Sequence, residues 1–211
     1  MIMADAQQQT TQVKKPKGKV VDTWKTKSWY SVIAPEAFNS KEIGQVVSSD
    51  EANLLNRKVK ANLGELTGSL SMSNAYTAIN FRIREVKGKN AYVEFMGHEL
   101  APAYIRTLAR RRRSVINYVK DTVTKDNVKY RIKMTVVTGV RISDKGKSAI
   151  RRLLDEEVGQ IASKTDFAVF SQEILFGKVT QKIYAAIKTI APIRKIEIHK
   201  SEVVREAKAA S

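Results

Sequence analysis

The chain has 211 residues, of which 43% are hydrophobic, so it can bury a core of its own without disulfides or a structural metal. It contains no cysteine, which excludes disulfides, cysteine zinc sites and thiol nucleophiles and is typical of a reducing compartment. Its 38 Lys and Arg against 21 Asp and Glu give a formal charge of +17 at pH 7, which indicates a polyanionic partner.

The polyanion is expected to be a nucleic acid rather than a membrane. The N-terminal sequence MIMADAQQQTTQVKKPKGK lacks the apolar segment of a signal peptide, and no window approaches the roughly 18 apolar residues of a membrane span. An acidic membrane surface requires a basic amphipathic helix or a lipid anchor, and neither stands out as an isolated terminal segment. We therefore expect a cytoplasmic protein that binds RNA or DNA.

Residues 1–27 are polar and rich in Gln, Thr and Lys, a composition typical of a disordered basic arm. Such an arm either keeps a protein soluble or reaches into grooves of RNA, and we favour the second role. Either Trp24 or Trp29 could stack on a base, although Trp29 and Tyr30 begin the apolar run WYSVIAP and are expected to anchor the first strand. The RNA-binding residues predicted here are Lys14, Lys15, Lys17, Lys19, Lys25 and Lys27.

The sequence from 28 to 140 is predicted to be rich in strands. A first strand begins at WYSVIAP and a short one covers residues 57–63. Residues 75–86 alternate between apolar and polar side chains, turn at KGKN, and return as AYVEFM at 91–96. This pattern predicts a hairpin.

Four adjacent arginines follow a short helix that Pro102 is expected to start. A cation at a helix C-terminus stabilises the helix by about 0.3–1 kcal/mol, but four like charges in sequence repel one another. The run therefore indicates that the compensating negative charge lies outside the chain. We predict that Arg110, Arg111, Arg112 and Arg113 bind RNA at a joint between helix and strand.

A second hairpin is predicted from strands at 114–123 and 128–136, with a turn at 124–127. Its returning strand points apolar residues inward and a row of cations outward, with no acid within that strand. Two interpretations remain open: the row binds RNA, or it consists of solvated cations that protect a sheet edge. The cations of the row are Lys129, Arg131 and Lys133.

From 141 to 204 the apolar period becomes helical, which makes the fold class α+β. Helices are predicted at 144–163, from Asp166 to Gly177 and at 179–190, followed by a strand at 193–200. On the first helix, Arg151 with Asp155 is expected to form an i,i+4 pair. We expect one domain over 28–204, strand-rich over 28–140 and helix-rich over 141–204, and a tail at 205–211.

None of the candidate catalytic motifs in the sequence has the residues and spacing that its chemistry requires. The segment from Gly139 to Ser148 imitates a phosphate-binding loop, but six residues separate its glycines where the loop requires four. Its cations can still meet phosphate near a helix N-terminus, so Arg141, Lys145 and Lys147 join the predicted RNA contacts. His98 is expected to be a structural hydrogen-bonding residue. We therefore expect no enzymatic activity, no metal and no cofactor.

Several segments together resemble the archaeal and eukaryotic small-subunit ribosomal protein family called S-three-a, or e-S-one. Their order and spacing between Lys25 and Val204 carry the resemblance, because no single segment is diagnostic. The segments are WYSVIAPEAF (29–38), IG (43–44), NLGELTG (62–68), VKGKN (86–90), EFMGHEL (94–100), VTKD (123–126), IRR (150–152), GK (177–178), IY (183–184), PIR (192–194) and KSEV (200–203).

This resemblance implies a structural constituent of the small ribosomal subunit. It implies a β-barrel-like antiparallel core in the first half, packed with C-terminal helices, and a location on the platform near the messenger exit. The implied partners are ribosomal RNA including its 3′ region, neighbouring platform proteins and, nearby, messenger RNA. The length and short tail look archaeal. Asn127 stands where the family favours Gly, and Asn tolerates the same left-handed conformation.

Two other functions remain open on the residues alone. One is a free-standing RNA-binding regulator or RNA chaperone, which the basic charge would serve equally well. The other is a nucleic-acid-processing enzyme, although the acidic cluster at 155–157 does not gather its carboxylates on one side of a helix.

Overall fold

The structure, a computed structural model, describes residues 22, 24–68 and 72–204. Most of the predicted arm, including Lys14, Lys15, Lys17 and Lys19, lies outside the described residues, as does the predicted tail at 205–211.

The fold class is α+β, as predicted, with strands and helices in the expected order. The sequence analysis missed three elements, the second strand and the first two short helices. The strands are β1 (Ser28–Ile33), β2 (Glu42–Ser48), β3 (Lys58–Asn62), β4 (Thr77–Lys87), β5 (Asn90–Leu100), β6 (Val115–Val123), β7 (Lys129–Thr138) and β8 (Ile193–Val203). The helices are α1 (Leu63–Thr67), α2 (Met72–Ala75), α3 (Pro102–Leu108), α4 (Asp144–Lys164), α5 (Phe167–Leu175) and α6 (Lys178–Ile187), with 3-10 turns at Glu36–Phe38 and Ala52–Leu54.

Both predicted hairpins are confirmed. β4 pairs with β5 around a two-residue turn in which Gly88 has a φ of +60°, a conformation that glycine adopts without steric cost. β6 pairs with β7 from Val115 to Val123, and Asn127 in the connecting turn has a φ of +57°. Asn127 thus adopts the left-handed conformation expected at this position.

The sheet runs in the order β2-β1-β5-β8-β7-β6, and β4 with β3 extends it from the other edge of β5. All pairs are antiparallel except β1 with β5, which run parallel over residues 31–33 and 90–92. β5 joins β8 through residues 97–99 and 200–202. A Cβ on Gly97 would lie 2.0 Å from the Ser201 carbonyl oxygen, so only glycine allows the two backbones to approach this closely.

Two hydrophobic cores occupy the two parts of this sheet. In the first, β1, β3, β4 and β5 contribute residues such as Val32 and Phe81 to one buried cluster. In the second, α4, α5 and α6 cover one face of β6, β7 and β8, where Met134, Leu154 and Phe170 are buried. Phe95 contacts both cores.

The predicted helices of the second half are confirmed. They pack on one face of β6–β7–β8, and on the other face the Tyr104 hydroxyl of α3 donates to Glu197 of β8 at 3.0 Å. α4 begins after Ser143, whose side chain accepts a hydrogen bond from the Gly146 N–H at 3.4 Å. Asp155 of α4 turns toward β6, where it pairs with Lys120 at 3.1 Å and accepts a hydrogen bond from the Tyr118 hydroxyl. Among the described residues, no helix is long and apolar enough to cross a membrane.

Candidate nucleic-acid interface

The four adjacent arginines form the turn between α3 and β6, as predicted. α3 ends at Leu108, and Arg112 has a φ of +62°, so the chain reverses instead of continuing the helix. Ser114, directly after the run, is buried and fixes its end: its N–H donates to the Thr138 hydroxyl at 3.0 Å, and its own hydroxyl accepts from the Ile142 N–H at 3.1 Å. The turn is therefore held against the ends of β7 and the segment before α4.

Arg194 extends this group, although the sequence analysis did not assign it to the site. Ser114, the residue after Arg113, contacts Thr138, and Thr138 pairs with Ile193, the residue before Arg194. Arg113 and Arg194 therefore both lie next to a residue that contacts Thr138. Desolvation and the positive charges of Arg194 and Arg110 lower the pKa of Arg113. We call Arg110–Arg113 and Arg194 the arginine cluster.

Acidic side chains of the described residues do not pair with the arginine cluster. Within the part of the chain that the structure describes, no acidic side chain forms an ion pair with any of these five arginines. The nearby charges that act on Arg113 are positive. Because like charges at close range repel, the cluster is a local concentration of positive charge on the surface of the described structure.

The cations before and within α4 lie at the same end of the sheet. Arg141 directly precedes Ile142, whose N–H binds Ser114, so it is brought next to the arginine cluster. Lys145 is exposed. Lys147 instead pairs with Asp144 at 2.8 Å, and its hydrogen bond lowers the pKa of that carboxyl. Arg141 and Lys145 thus extend the basic surface, whereas Lys147 is partly neutralised.

Arg131 and Lys133 of the cation row on β7 lie beside carboxylates of the neighbouring strands, and Glu202 also pairs with Lys200 at 3.3 Å. Arg131 donates two hydrogen bonds to Asp121 of β6, at 2.6 and 2.7 Å, and the hydrogen bond lowers the pKa of Asp121. Lys133 lies 3.9 Å from Glu202 of β8. Lys129 is exposed at the far end of β7, and a ten-residue strand spans roughly 30 Å. The structure therefore does not bring this row together with the arginine cluster.

The described end of the basic arm is ordered around Trp24. The Lys27 ammonium lies 4.0 Å from the centre of the Trp24 ring, which is 68% exposed. Lys25 is exposed beside it. Of the two residues predicted to anchor the first strand, Tyr30 is buried, as expected, whereas Trp29 is 62% exposed, so the prediction is wrong for Trp29. Adjacent residues of a strand point to opposite faces, so only one of the two can enter the core.

His98 is a structural hydrogen-bonding residue, as predicted. Its Nε2–H donates to the Ile198 carbonyl at 2.9 Å, and its Nδ1 accepts from the Ser201 hydroxyl. That hydroxyl accepts in turn from the Tyr130 hydroxyl at 2.6 Å. Burial, the largest cause, lowers the pKa of His98 to about 4, so the ring is neutral at pH 7. The described residues contain no group of three or more side chains placed to hold a metal ion.

Comparison with known proteins identifies the family. The family model of the Ribosomal S3Ae family matches residues 15–207. The chain belongs to the Ribosomal S3Ae family. A relative named "Small ribosomal subunit protein eS1" from Methanococcus maripaludis is 39% identical over 92% of this chain and 86% of the relative. Relatives of the same name from Saccharolobus islandicus and Saccharolobus solfataricus are 37% and 38% identical, over 89% of this chain and 89% of each relative.

These relatives come from archaea, and the resemblance to the S-three-a family is confirmed. The match to the Ribosomal S3Ae family includes both hydrophobic cores and the arginine cluster, since all of these lie within residues 15–207. The fold and the unneutralised arginines thus belong to a protein of a ribosomal family.

Proposed function

We propose that this chain is a structural constituent of the small ribosomal subunit that binds ribosomal RNA mainly through its phosphates. The observation that carries the proposal is the arginine cluster, which has no acidic partner among the described residues. Guanidinium groups bind phosphate oxygens in pairs of parallel hydrogen bonds, and each neutralised phosphate releases condensed counterions. The cluster therefore supplies a binding free energy that depends on salt and little on sequence.

The arginines of the cluster do not lie on one flat face of the protein, an arrangement that suits contact with a folded RNA. Four of its arginines occupy a turn, so their backbone positions follow a change of chain direction, and the fifth approaches from β8. Arg141 and Lys145 continue the basic surface toward α4. Such an arrangement can contact phosphates on more than one strand or helix of a folded RNA.

We further propose the place that the family resemblance implies: the platform of the small subunit, near the messenger exit and the 3′ region of the ribosomal RNA. Neighbouring platform proteins would cover part of the chain, with messenger RNA close by, in the cytoplasm. The relatives named "Small ribosomal subunit protein eS1" support a ribosomal role of this kind. We propose no catalytic step, because the histidine inside the fold is occupied by structural hydrogen bonds.

Sedimentation of the tagged full chain tests this proposal. In a sucrose gradient of cell lysate at moderate salt, we expect the chain in the small-subunit fractions. A chain that stays at the top of the gradient but binds RNA would instead be a free-standing regulator or chaperone. RNA cleavage by the pure protein with magnesium, abolished by one carboxylate substitution, would contradict the non-catalytic assignment.

A further inference from the structure

A cavity of about 540 Å³ lies beside the arginine cluster, between α3, the turn from α5 to α6, and β8. Pockets that bury small organic ligands have volumes of roughly 300–1,000 Å³. The cavity therefore has room for one nucleoside. Neither the family resemblance nor the proposed phosphate contacts account for it.

Two exposed aromatic side chains line the cavity. Phe176, at the end of α5, is 54% exposed, and Tyr184 of α6 is 38% exposed. Within the described residues, neither ring packs against another aromatic ring. The Phe176 N–H donates to the Gln172 carbonyl at 2.9 Å, so this residue is fixed to the end of its helix. Exposed aromatic faces on a rigid backbone are the platforms on which unstacked bases lie.

The polar groups of the cavity divide into occupied and available ones. Lys195 is occupied by Glu197, at 2.9 Å, and by the Tyr104 hydroxyl. Arg194 lines the same cavity without an ion pair among the described residues, and its charge acts on Arg113. Gln181, exposed at the rim, carries an amide that can donate to and accept from the edge of a base. The cavity is thus continuous with the arginine cluster through Arg194.

We propose that this cavity receives one unstacked base of ribosomal RNA, with Phe176 and Tyr184 against the base and Arg194 on an adjoining phosphate. The inference rests on the proposed function, since it names how that same surface engages RNA. Charge favours RNA over a protein segment as the occupant. A neutral peptide would leave the five arginines without counter-charge, whereas an RNA strand that enters the cavity brings its phosphates to them.

Binding of the full chain to short RNA tests the base pocket separately from the phosphate contacts. The probes are single-stranded oligonucleotides of A, C or U, and an abasic sugar-phosphate chain of the same length. We expect at least one base-bearing probe to bind more tightly than the abasic chain. Tyr184→Ala and Phe176→Ala should each weaken that probe by about 5- to 100-fold, because stacking is lost, and leave the abasic chain and the salt slope unchanged.

Two further variants act as controls. Tyr184→Phe keeps the ring and should bind as the unaltered chain does. Tyr92→Ala removes a tyrosine of β5 that is equally exposed, 39% against 38%, but does not line this cavity, and it should have no effect. Circular dichroism and thermal unfolding confirm that each variant is folded. If the alanine variants at Phe176 and Tyr184 bind every probe as the unaltered chain does, the base pocket is overturned.

Ultraviolet crosslinking of native small subunits gives the second measurement. We expect a nucleotide adduct on the peptide that carries residues 176–184. Adducts elsewhere on the chain with none on this peptide, or a neighbouring protein crosslinked to Lys195 in place of RNA, would overturn the pocket but leave the proposed function intact. A chain that is absent from the small-subunit fractions and binds neither type of probe would overturn the proposed function itself.

Discussion

The arginine turn and the cation row of β7 look alike in the sequence but differ in the structure. Both place several positive charges within a few residues with no acid among them. In the row, Arg131 forms an ion pair with Asp121 of β6, and Lys133 lies 3.9 Å from Glu202 of β8. In the turn, the nearest charges that act on Arg113 are two more arginines.

The difference follows from position in the sheet. β7 is paired on both sides, so its outward residues face partners in register: Asp121 stands opposite Arg131 on one side and Glu202 on the other. A turn at the end of a strand has no such neighbours. A run of cations therefore indicates an external polyanion only where no adjacent strand supplies acids.

Replacing Arg110–Arg113 by Gln should give the largest effect on RNA binding. Each lost phosphate contact lowers the salt slope by about 0.9, so the slope should fall by up to roughly 4. The free energy of unfolding should not fall, because none of these arginines forms an ion pair with the residues that the structure describes. Binding to a ribosomal RNA fragment at several salt concentrations measures this.

The matched control replaces Lys129, Arg131 and Lys133 by Gln. We expect the slope to fall by less than about 1, since Arg131 and Lys133 lie beside acidic partners. If the salt slope falls equally in the two variants, the arginine turn and the β7 row contribute equally to RNA binding, which contradicts the prediction.

Protonation of His98 should change the free energy of unfolding but not the affinity for RNA. The pKa of His98 is about 4 in the fold against 6.5 when unfolded, chiefly because the ring is buried and also because the charge of His199 lowers it. Between these values the unfolded chain binds more protons, so the free energy of unfolding decreases as the pH falls from 6.5 to 4, by about 3 kcal/mol in all.

Urea unfolding across that pH range checks this prediction. His98→Gln should flatten the pH dependence while leaving the salt slope of RNA binding unchanged. His199→Gln is the control, because burial also lowers the pKa of His199 but the ring is only partly enclosed. An unaltered pH dependence in the His98 variant would show that another group carries it.

Arg194→Gln should lower the salt slope by about 1, the value for one phosphate contact. The residue belongs to the cluster only through the pairing of β7 with β8. Lys58→Gln, an exposed substitution in the first part of the sheet, is the control and should leave the slope unchanged. A slope unaffected by Arg194→Gln would remove this residue from the interface.

Asp121→Asn should have the smallest effect on the salt slope of RNA binding. It should raise the slope, whereas the arginine substitutions lower it. It releases Arg131 from its carboxylate partner, so the β7 row comes to resemble the arginine turn. We expect the salt slope to rise by no more than about 1. A rise as large as the loss in the arginine-turn variant would mean that RNA already lies along β7.

Local sequence patterns predicted most of the fold. Strict alternation and turn residues gave both β-hairpins, and the helical period gave α4, α5 and α6. β2 was missed because its EIGQVVS sequence alternates poorly, and the structure buries only one of its seven residues. The elements predicted correctly were therefore those that a regular local pattern of apolar and polar residues determines.

Contacts between distant residues could not be predicted in this way. Asp155 was assigned to Arg151 on the same helix, but it binds Tyr118 and Lys120, more than 30 residues earlier. Arg194 joins the arginines across a gap of about 80 residues for the same reason. Periodicity gives the face on which a side chain lies but not the strand that faces it.

The position of β8 in the sheet has a consequence for how the protein is made. β8 is the last strand to leave the translating ribosome, yet it lies between β5 and β7, which do not pair with each other. The first core can form while synthesis continues, since β1 to β5 supply its strands. The second part can attach to the first through the sheet only after β8 has emerged. Among the described residues, β8 therefore completes the sheet, and a nascent chain stalled before residue 193 would lack the strand that joins the two parts of the sheet.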